Sequence, residues 1–258
     1  MKSIPTQNDK IEIIYEDPDF LVINKPAGLI VHKAASNKDK TLADYLLEAY
    51  PEIKEVGDDP SRPGIVHRLD KDASGLMVVA RNKQSFSMLK KQFKNRTVNK
   101  EYKALIHGKI IKDYGEIRFP ITRAKSGHRM AALPVTSNQN KKKISNRDQG
   151  NIKAKSKARE ALTIFTAEKK WPHLSLMSVN IKTGRTHQIR AHFAAYGHPL
   201  LGDDLYGTAK TKLKNKKTGL DRIFLVAQKL SFKDMNGDKK EFKIDLPEKL
   251  QKFLKDLK

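Results

Sequence analysis

Residues 64–80 read Gly64-Ile65-Val66-His67-Arg68-Leu69-Asp70-Lys71-Asp72-Ala73-Ser74-Gly75-Leu76-Met77-Val78-Val79-Ala80. A charged, Gly-bounded turn stands between two apolar runs. The pattern predicts the end of one buried strand at Ile65-Val66 and the start of another over Leu76 to Ala80. His67, Arg68, Asp70, Lys71 and Asp72 all fall in the link between them. Charged residues are common in loops, so the turn alone leaves two readings open. One is a solvated polar turn; the other is a site in which Asp70 is the reagent.

Composition narrows the partners. A chain of 258 residues can bury a substantial core. Lys and Arg outnumber Asp and Glu 52 to 29, a net charge of +23. Such an excess points to a polyanion, nucleic acid first and an anionic membrane surface second. Genome bias toward lysine would raise Glu and Asp alongside it, which has not happened. There is no cysteine, so disulfides, thiolate metal sites and a Cys nucleophile are excluded. Met1 to Lys10 has no apolar segment, and runs such as Leu76 to Ala80 are far too short to span a bilayer. The expectation is a soluble, cytoplasmic protein.

Working outward from the turn, Ile11 to Tyr15 and Phe20 to Ile23 read as strands joined at Glu16-Asp17-Pro18-Asp19. Asn24-Lys25-Pro26-Ala27-Gly28 is a loop. Leu42, Tyr45, Leu46 and Ala49 have helical spacing, ended by Pro51. Phe86, Leu89 and Phe93 mark a helix with an exposed basic face. Lys100 to Gly108 reads as a strand, as do Glu116 to Phe119, Leu162 to Ala167, Leu174 to Ile181 and Ile223 to Phe232. Ile189, Phe193 and Tyr196 share a helical face, with Gly197 as its cap. Asn236-Gly237 is a hairpin turn, Glu241 to Asp245 returns, and a terminal helix follows Pro247. Strands do not alternate regularly with helices. The fold class is therefore α+β, a largely antiparallel mixed sheet with flanking helices and loops. The domain reading is an N-terminal tail over residues 1–10 and a single domain over 11–258, with a basic loop insertion at about 137–157.

Several chemistries lack their residues. His187 and His192 are five apart without HExxH, a spacing that does not build a zinc site. No P-loop, dinucleotide fingerprint or GxSxG elbow is present. His67 reads as a residue that holds the loop or meets backbone phosphates. Asp70, if it meets Arg190, would be held ionised and able to act as nucleophile or base; a structural ion pair is the alternative. Tyr102 is either core packing with a wet hydroxyl or a platform for an extracted base.

Four segments in order resemble the RluA-type pseudouridine synthases (the RluA, RluC and RluD kinds). His67-Arg68-Leu69-Asp70 with Ser74-Gly75 resembles the catalytic motif. Asn24-Lys25-Pro26-Ala27-Gly28 resembles an upstream motif, and Lys100-Glu101-Tyr102 the tyrosine motif. Thr183-Gly184-Arg185-Thr186-His187-Gln188-Ile189-Arg190, followed by Gly197-His198-Pro199-Leu200-Leu201-Gly202-Asp203, resembles the C-terminal motif. The resemblance covers roughly Ile11 to Leu246. It implies the pseudouridine synthase fold and an isomerase that converts uridine in RNA to pseudouridine with no metal or organic cofactor. Asp70 would be the nucleophile, Tyr102 would stack on the uracil near the proton lost from C5, and Arg190 would pair with Asp70. Arg68 would fill the space left by the flipped nucleotide. His67, Lys25, Arg185 and His187 would join it in binding RNA.

Two departures stand out. Ala73 occupies the place where Thr is usual. Only ten residues precede Ile11, so the S4-like RNA-binding domain of some relatives is expected to be missing. The expected partner is RNA, ribosomal before transfer, with no membrane and no metal, and the chain is expected to act as a monomer. A non-catalytic RNA-binding or ribosome-assembly protein on the same fold is the competing reading. A zinc deaminase lacks its ligands here, and a glycosylase has no motif in its favour. The basic run from Lys141 to Arg159 reads as a long loop, either a solvated linker or an arm that supplies RNA affinity. Deleting Lys141 to Lys155 should weaken RNA binding and flatten its salt dependence; an unchanged affinity and slope would refute that role.

Overall fold

The computed structural model describes residues 2–33, 39–124, 127, 129–134 and 158–257. The basic insertion at 137–157 lies outside them. The chain divides into two compact units, one of Met1–Ala104 with Arg222–Lys258, the other of Leu105–Asp221. The sequence shows no composition break at either boundary.

The first unit contains β1 (Ser3–Pro5), β2 (Lys10–Glu16), β3 (Phe20–Lys25), α1 (Leu42–Ala49), β4 (Ser74–Ala80), α2 (Lys83–Asn95) and most of β5 (Asn99–His107). Its strands lie in the order β1-β2-β3-β4, and β4 continues onto β11 (Leu225–Lys233), which returns from the other end of the sequence. The β1–β2, β2–β3 and β3–β4 pairs are antiparallel, as is β5 on β11. The β4–β11 pair is parallel and short, Val226 against Ser74 and Ala227 against Gly75. β12 (Lys239–Lys243) extends the hairpin from β11, and α5 (Glu248–Lys255) closes the chain. All seven residues of β4 are buried, as a strand covered on both faces requires. The same unit buries Phe20, Leu21, Ile23, Leu46, Phe224 and Leu250, each essentially inaccessible. α2 starts where the Asn82 side chain accepts the Ser85 N–H at 2.8 Å, a standard N-cap.

The second unit holds β6 (Tyr114–Ile117), β7 (Ile121–Arg123), β8 (Met130–Ala132), β9 (Thr163–Lys170), β10 (Leu174–Ile181), α3 (Gln188–Ala195) and α4 (Ala209–Lys217). β10, β9 and β6 pair antiparallel in that order, and β7 with β8 forms a separate hairpin. Phe165, Met177, Val179, Phe193 and Leu200 form its core, with the Phe165 and Phe193 rings 5.6 Å apart.

The α+β class with a mostly antiparallel sheet and flanking helices is the observed architecture. Three local expectations differ. Residues 3–5 are not a free tail but a strand in register with Lys10–Glu12. Ile65-Val66 is not a strand; Ile65 makes one isolated bridge to Val79. The reason is Gly64, whose positive φ of 70° and bonds to Val56 and Ala80 turn the chain before a ladder can form. β7, β8 and α4 have no apolar period and were not anticipated.

The second unit buries a titratable group. His192 is inaccessible and bonds through Nδ1 to the Thr163 hydroxyl at 2.9 Å and through Nε2 to the Phe119 carbonyl at 2.8 Å. The carbonyl accepts, so Nε2 carries the proton of a neutral ring. Burial lowers its pKa from 6.5 to about 4. A folded-state pKa below the unfolded one means the unfolded chain binds the extra proton first. Stability should therefore be full above pH 6.5 and fall as pH drops toward 4, with His192 contributing a loss of roughly 3 kcal/mol. Urea unfolding against pH, with imidazole NMR shifts, checks this: a neutral His192 ring at pH 5 is expected, and a ring that titrates near 6.5 would refute it.

Candidate active site

The turn that opens the sequence reading owes its position to Gly75. Its φ is +118°, and a Cβ there would lie 2.3 Å from the Ala227 oxygen and 2.6 Å from the Ala227 nitrogen. No side chain fits between β4 and β11 at this level, nor is this φ open to one without strain. Ala227 lies in turn opposite Tyr102 of β5. Gly75, Ala227 and Tyr102 therefore form a row across three neighbouring strands, and the Asp70 turn emerges from the end of the first.

The turn is closed by its backbone. The Ala73 N–H donates to the Asp70 carbonyl at 3.2 Å and the Gly28 N–H to the Lys71 carbonyl at 2.8 Å. Ala73 is buried, so the closure does not use the hydroxyl that Thr would bring. Lys25 completes the link. Its ammonium donates to the carbonyls of Pro26 at 2.7 Å, Leu29 at 2.8 Å and Lys71 at 3.1 Å. Burial lowers its pKa to about 7, Arg222 adds to the fall, and Asp70 and Asp72 oppose it.

Lys25 and His67 thus differ from the expectation that they bind RNA. Lys25 is fully buried, and its donors are spent on three carbonyls. The half-buried His67 accepts the Val78 N–H through Nε2 at 3.0 Å and stacks on Phe93 with centroids 4.5 Å apart. Burial, then the Lys100 charge, lowers its pKa to about 3. A neutral imidazole that accepts from a strand holds the loop; it offers no charge to a phosphate. Arg68 is exposed beside it, as an RNA contact must be.

Tyr102 is buried. Burial first, and the Asp70 charge second, raise its pKa, so the phenol is protonated and the Asp70 carboxylate stands within its electrostatic reach. Arg222 belongs to the same unit and was missed in the sequence. Its Nη2 donates to the Ser74 hydroxyl at 2.7 Å, on the residue before Gly75. The signal available was a single cation set directly before the apolar run Ile223 to Ala227.

Arg185, His187 and Arg190 belong to the second unit. Arg190 on α3 is buried, and its Nε and Nη2 grip the fully buried Asp203 at 2.7 and 3.0 Å. Its guanidinium also lies over the Tyr206 ring, 5.2 Å from the centroid. The remaining capacity of Asp203 is engaged by the N–H groups of Leu205 and Tyr206, each at 3.0 Å. His187 caps α3 with a positive φ of 52° and bonds to the Tyr206 hydroxyl at 3.0 Å. Arg185 donates from Nε to the Glu160 carbonyl at 3.2 Å. Asp203, quoted in the C-terminal motif without a role, and Tyr206, three residues further on, are what orient Arg190 and His187. Among the described residues, no three His, Asp or Glu side chains cluster as metal ligands, and no helix is long and apolar enough to cross a membrane.

Comparison with known proteins agrees with this geometry. A family model described as RNA pseudouridylate synthase matches residues 19–195. An RNA pseudouridine synthase of Aquifex aeolicus is 38% identical over 250 residues, 95% of this chain and 72% of that protein. A ribosomal large subunit pseudouridine synthase D of Zymomonas mobilis is 33% identical over 96% of this chain and 73% of its own length. The solved structure of human RNA pseudouridylate synthase domain containing 1 aligns at a TM-score of 0.69, with 26% identity over 94% of this chain and 86% of that one. The chain belongs to the RNA pseudouridylate synthase family. It is thereby an isomerase, of the class that converts uridine in RNA to pseudouridine.

Gly75 and Gly28 offer a paired check. Gly75→Ala meets backbone as well as strain, whereas a Cβ at Gly28, φ +84°, meets nothing within 4 Å. Gly75→Ala should cost about 2–4 kcal/mol, a Tm drop of ~5–15 °C, and Gly28→Ala about 1 kcal/mol. Equal Tm losses in thermal unfolding would refute the close-approach argument.

Proposed function

We propose that this protein isomerises specific uridines in structured RNA, ribosomal before transfer, with the Asp70 carboxylate as nucleophile. The preference for ribosomal RNA is supported by relatives from Zymomonas mobilis and Borreliella burgdorferi, both named as ribosomal large subunit pseudouridine synthase D. The protein works in the cytoplasm as a monomer, without metal or organic cofactor. The observation that carries the assignment is the Gly75–Ala227–Tyr102 row, which sets the Asp70 turn on the strand system that holds the buried phenol.

The reaction is an isomerisation, so its atoms balance within the nucleotide. The bond from N1 to ribose C1′ breaks, the uracil rotates, and C5 bonds to C1′. The C5 proton leaves and N1 ends protonated. A carboxylate at this position has two electrophiles open to it, C1′ of the ribose and C6 of the base, and both routes release the base for rotation. Tyr102, held protonated, stacks on the uracil near C5. Uracil in a stack cannot be reached, so the nucleotide flips out at a cost of a few kcal/mol, and Arg68 fills the space it leaves. Lys25 and His67 position the loop from behind. In the second unit Arg190 is held by Asp203, while Arg185 and His187 meet the RNA near the start of α3.

Asp70→Asn keeps the shape and removes the nucleophile. Isomerisation should fall by ~10⁴-fold or more while RNA binding persists. The check is pseudouridine formation on total RNA from cells lacking the protein, with sites mapped against the complemented strain. A wild-type rate in the Asn variant would overturn the nucleophile, and absence of any lost pseudouridine would favour the non-catalytic RNA-binding reading.

A further inference from the structure

α4 reads Ala209-Lys210-Thr211-Lys212-Leu213-Lys214-Asn215-Lys216-Lys217 and contains no acidic residue. Its five lysines are exposed, and none joins an ion pair among the described residues. Lys210 with Lys214, and Lys212 with Lys216, stand four apart on the helix surface. Each such like-charged pair destabilises the helix, and Lys210 faces the unfavourable end of the helix dipole. Leu213 is 63% exposed, so no apolar stripe holds the helix down either.

The helix is held instead by polar anchors at its two ends. The Thr208 hydroxyl caps the Thr211 N–H at 3.2 Å. Asn215, the one buried residue of α4, accepts from His107 Nε2 at 2.7 Å and from the Gly202 N–H at 3.0 Å, and donates to Asp204 at 3.3 Å. Gly207, just before the helix, bonds back to the Asp203 carbonyl at 3.0 Å. α4 is thereby fixed to the same 202–207 loop whose Asp203 orients Arg190 and whose Tyr206 bonds His187.

We propose that α4 is a phosphate-gripping face, which binds the backbone of the substrate RNA. This rests on RNA being the substrate. The face is of one sign and lacks the aromatic and apolar core that a protein partner would bury. Lysines act as point charges toward phosphates and give affinity without sequence readout. Lys210 to Lys217 spans about 10 Å of helix axis, enough for roughly three backbone steps.

The test replaces Lys210, Lys212, Lys214 and Lys217 together by Gln, which is about as good a helix former as Lys. Binding of a fluorescent RNA stem-loop is titrated at a series of KCl concentrations, with Lys249→Gln, Lys252→Gln and Lys255→Gln on α5 as the control. For the α4 variant, the slope of log K against log salt should flatten by roughly 0.7–0.9 per lost contact, about 2–3 in all. The low-salt Kd should rise by ~10-fold or more, with Tm unchanged and the control like wild type. An unchanged slope in the α4 variant, or an equal change in the control, would overturn the proposal and leave α4 as a solvated face or a site for an acidic protein. An RNA-binding protein that isomerises no uridine would sink the enzymatic reading instead and leave this slope intact.

Discussion

The close approach of β4 to β11 at Gly75 is the constraint on which the first unit depends. A parallel pair of only two residues contributes little by itself. Its effect is positional. Because no Cβ intervenes, Ala227 can face Gly75 on one side and Tyr102 on the other, and the Asp70 loop enters β4 within electrostatic reach of the phenol. The Asp70 turn is then tied down by backbone hydrogen bonds and by one ammonium shared among three carbonyls. Such a loop is rigid without help from the side chains that have work to do.

The same logic recurs in the second unit with different chemistry. Arg190 and Asp203 form a two-pronged pair with almost no exposure. A buried pair of this kind is a poor source of stability, since desolvation offsets attraction. It does fix direction. Asp203 also accepts two backbone N–H groups, so its carboxylate is set before Arg190 meets it, and Tyr206 supports the guanidinium from one face. Both units spend buried charge on orientation, and both leave their exposed cations, Arg68 in one and the α4 lysines in the other, facing outward.

Much of the fold was legible because apolar period tracks burial. β2, β3, β9, β10, α2 and α3 each bury a face, and hydrophobicity marks that face directly. β1, β7, β8 and α4 are short, polar or edge elements with no such face, so nothing in their residues announces them. Lys25 shows the same limit at the site. A lysine beside Pro26 in a basic chain reads as a surface cation, yet here it is a buried strap. For His67 the sequence left two readings open, holding the loop or meeting backbone phosphates, and burial against Phe93 with the Val78 N–H bond makes it a neutral acceptor that holds the loop.

What the sequence by itself determined is chemistry. Four short motifs, their order and the +23 charge point to an RNA-modifying isomerase and offer Asp70 and Tyr102 as its candidate reactive groups, because such groups must be present as residues whatever the fold. The tertiary structure decided their working states. Which lysine is a strap, which histidine is neutral, why residue 75 has no side chain and how Arg222 reaches Ser74 all follow from burial and from contacts between strands far apart in the chain. Those quantities depend on distance in space, which the linear order does not carry.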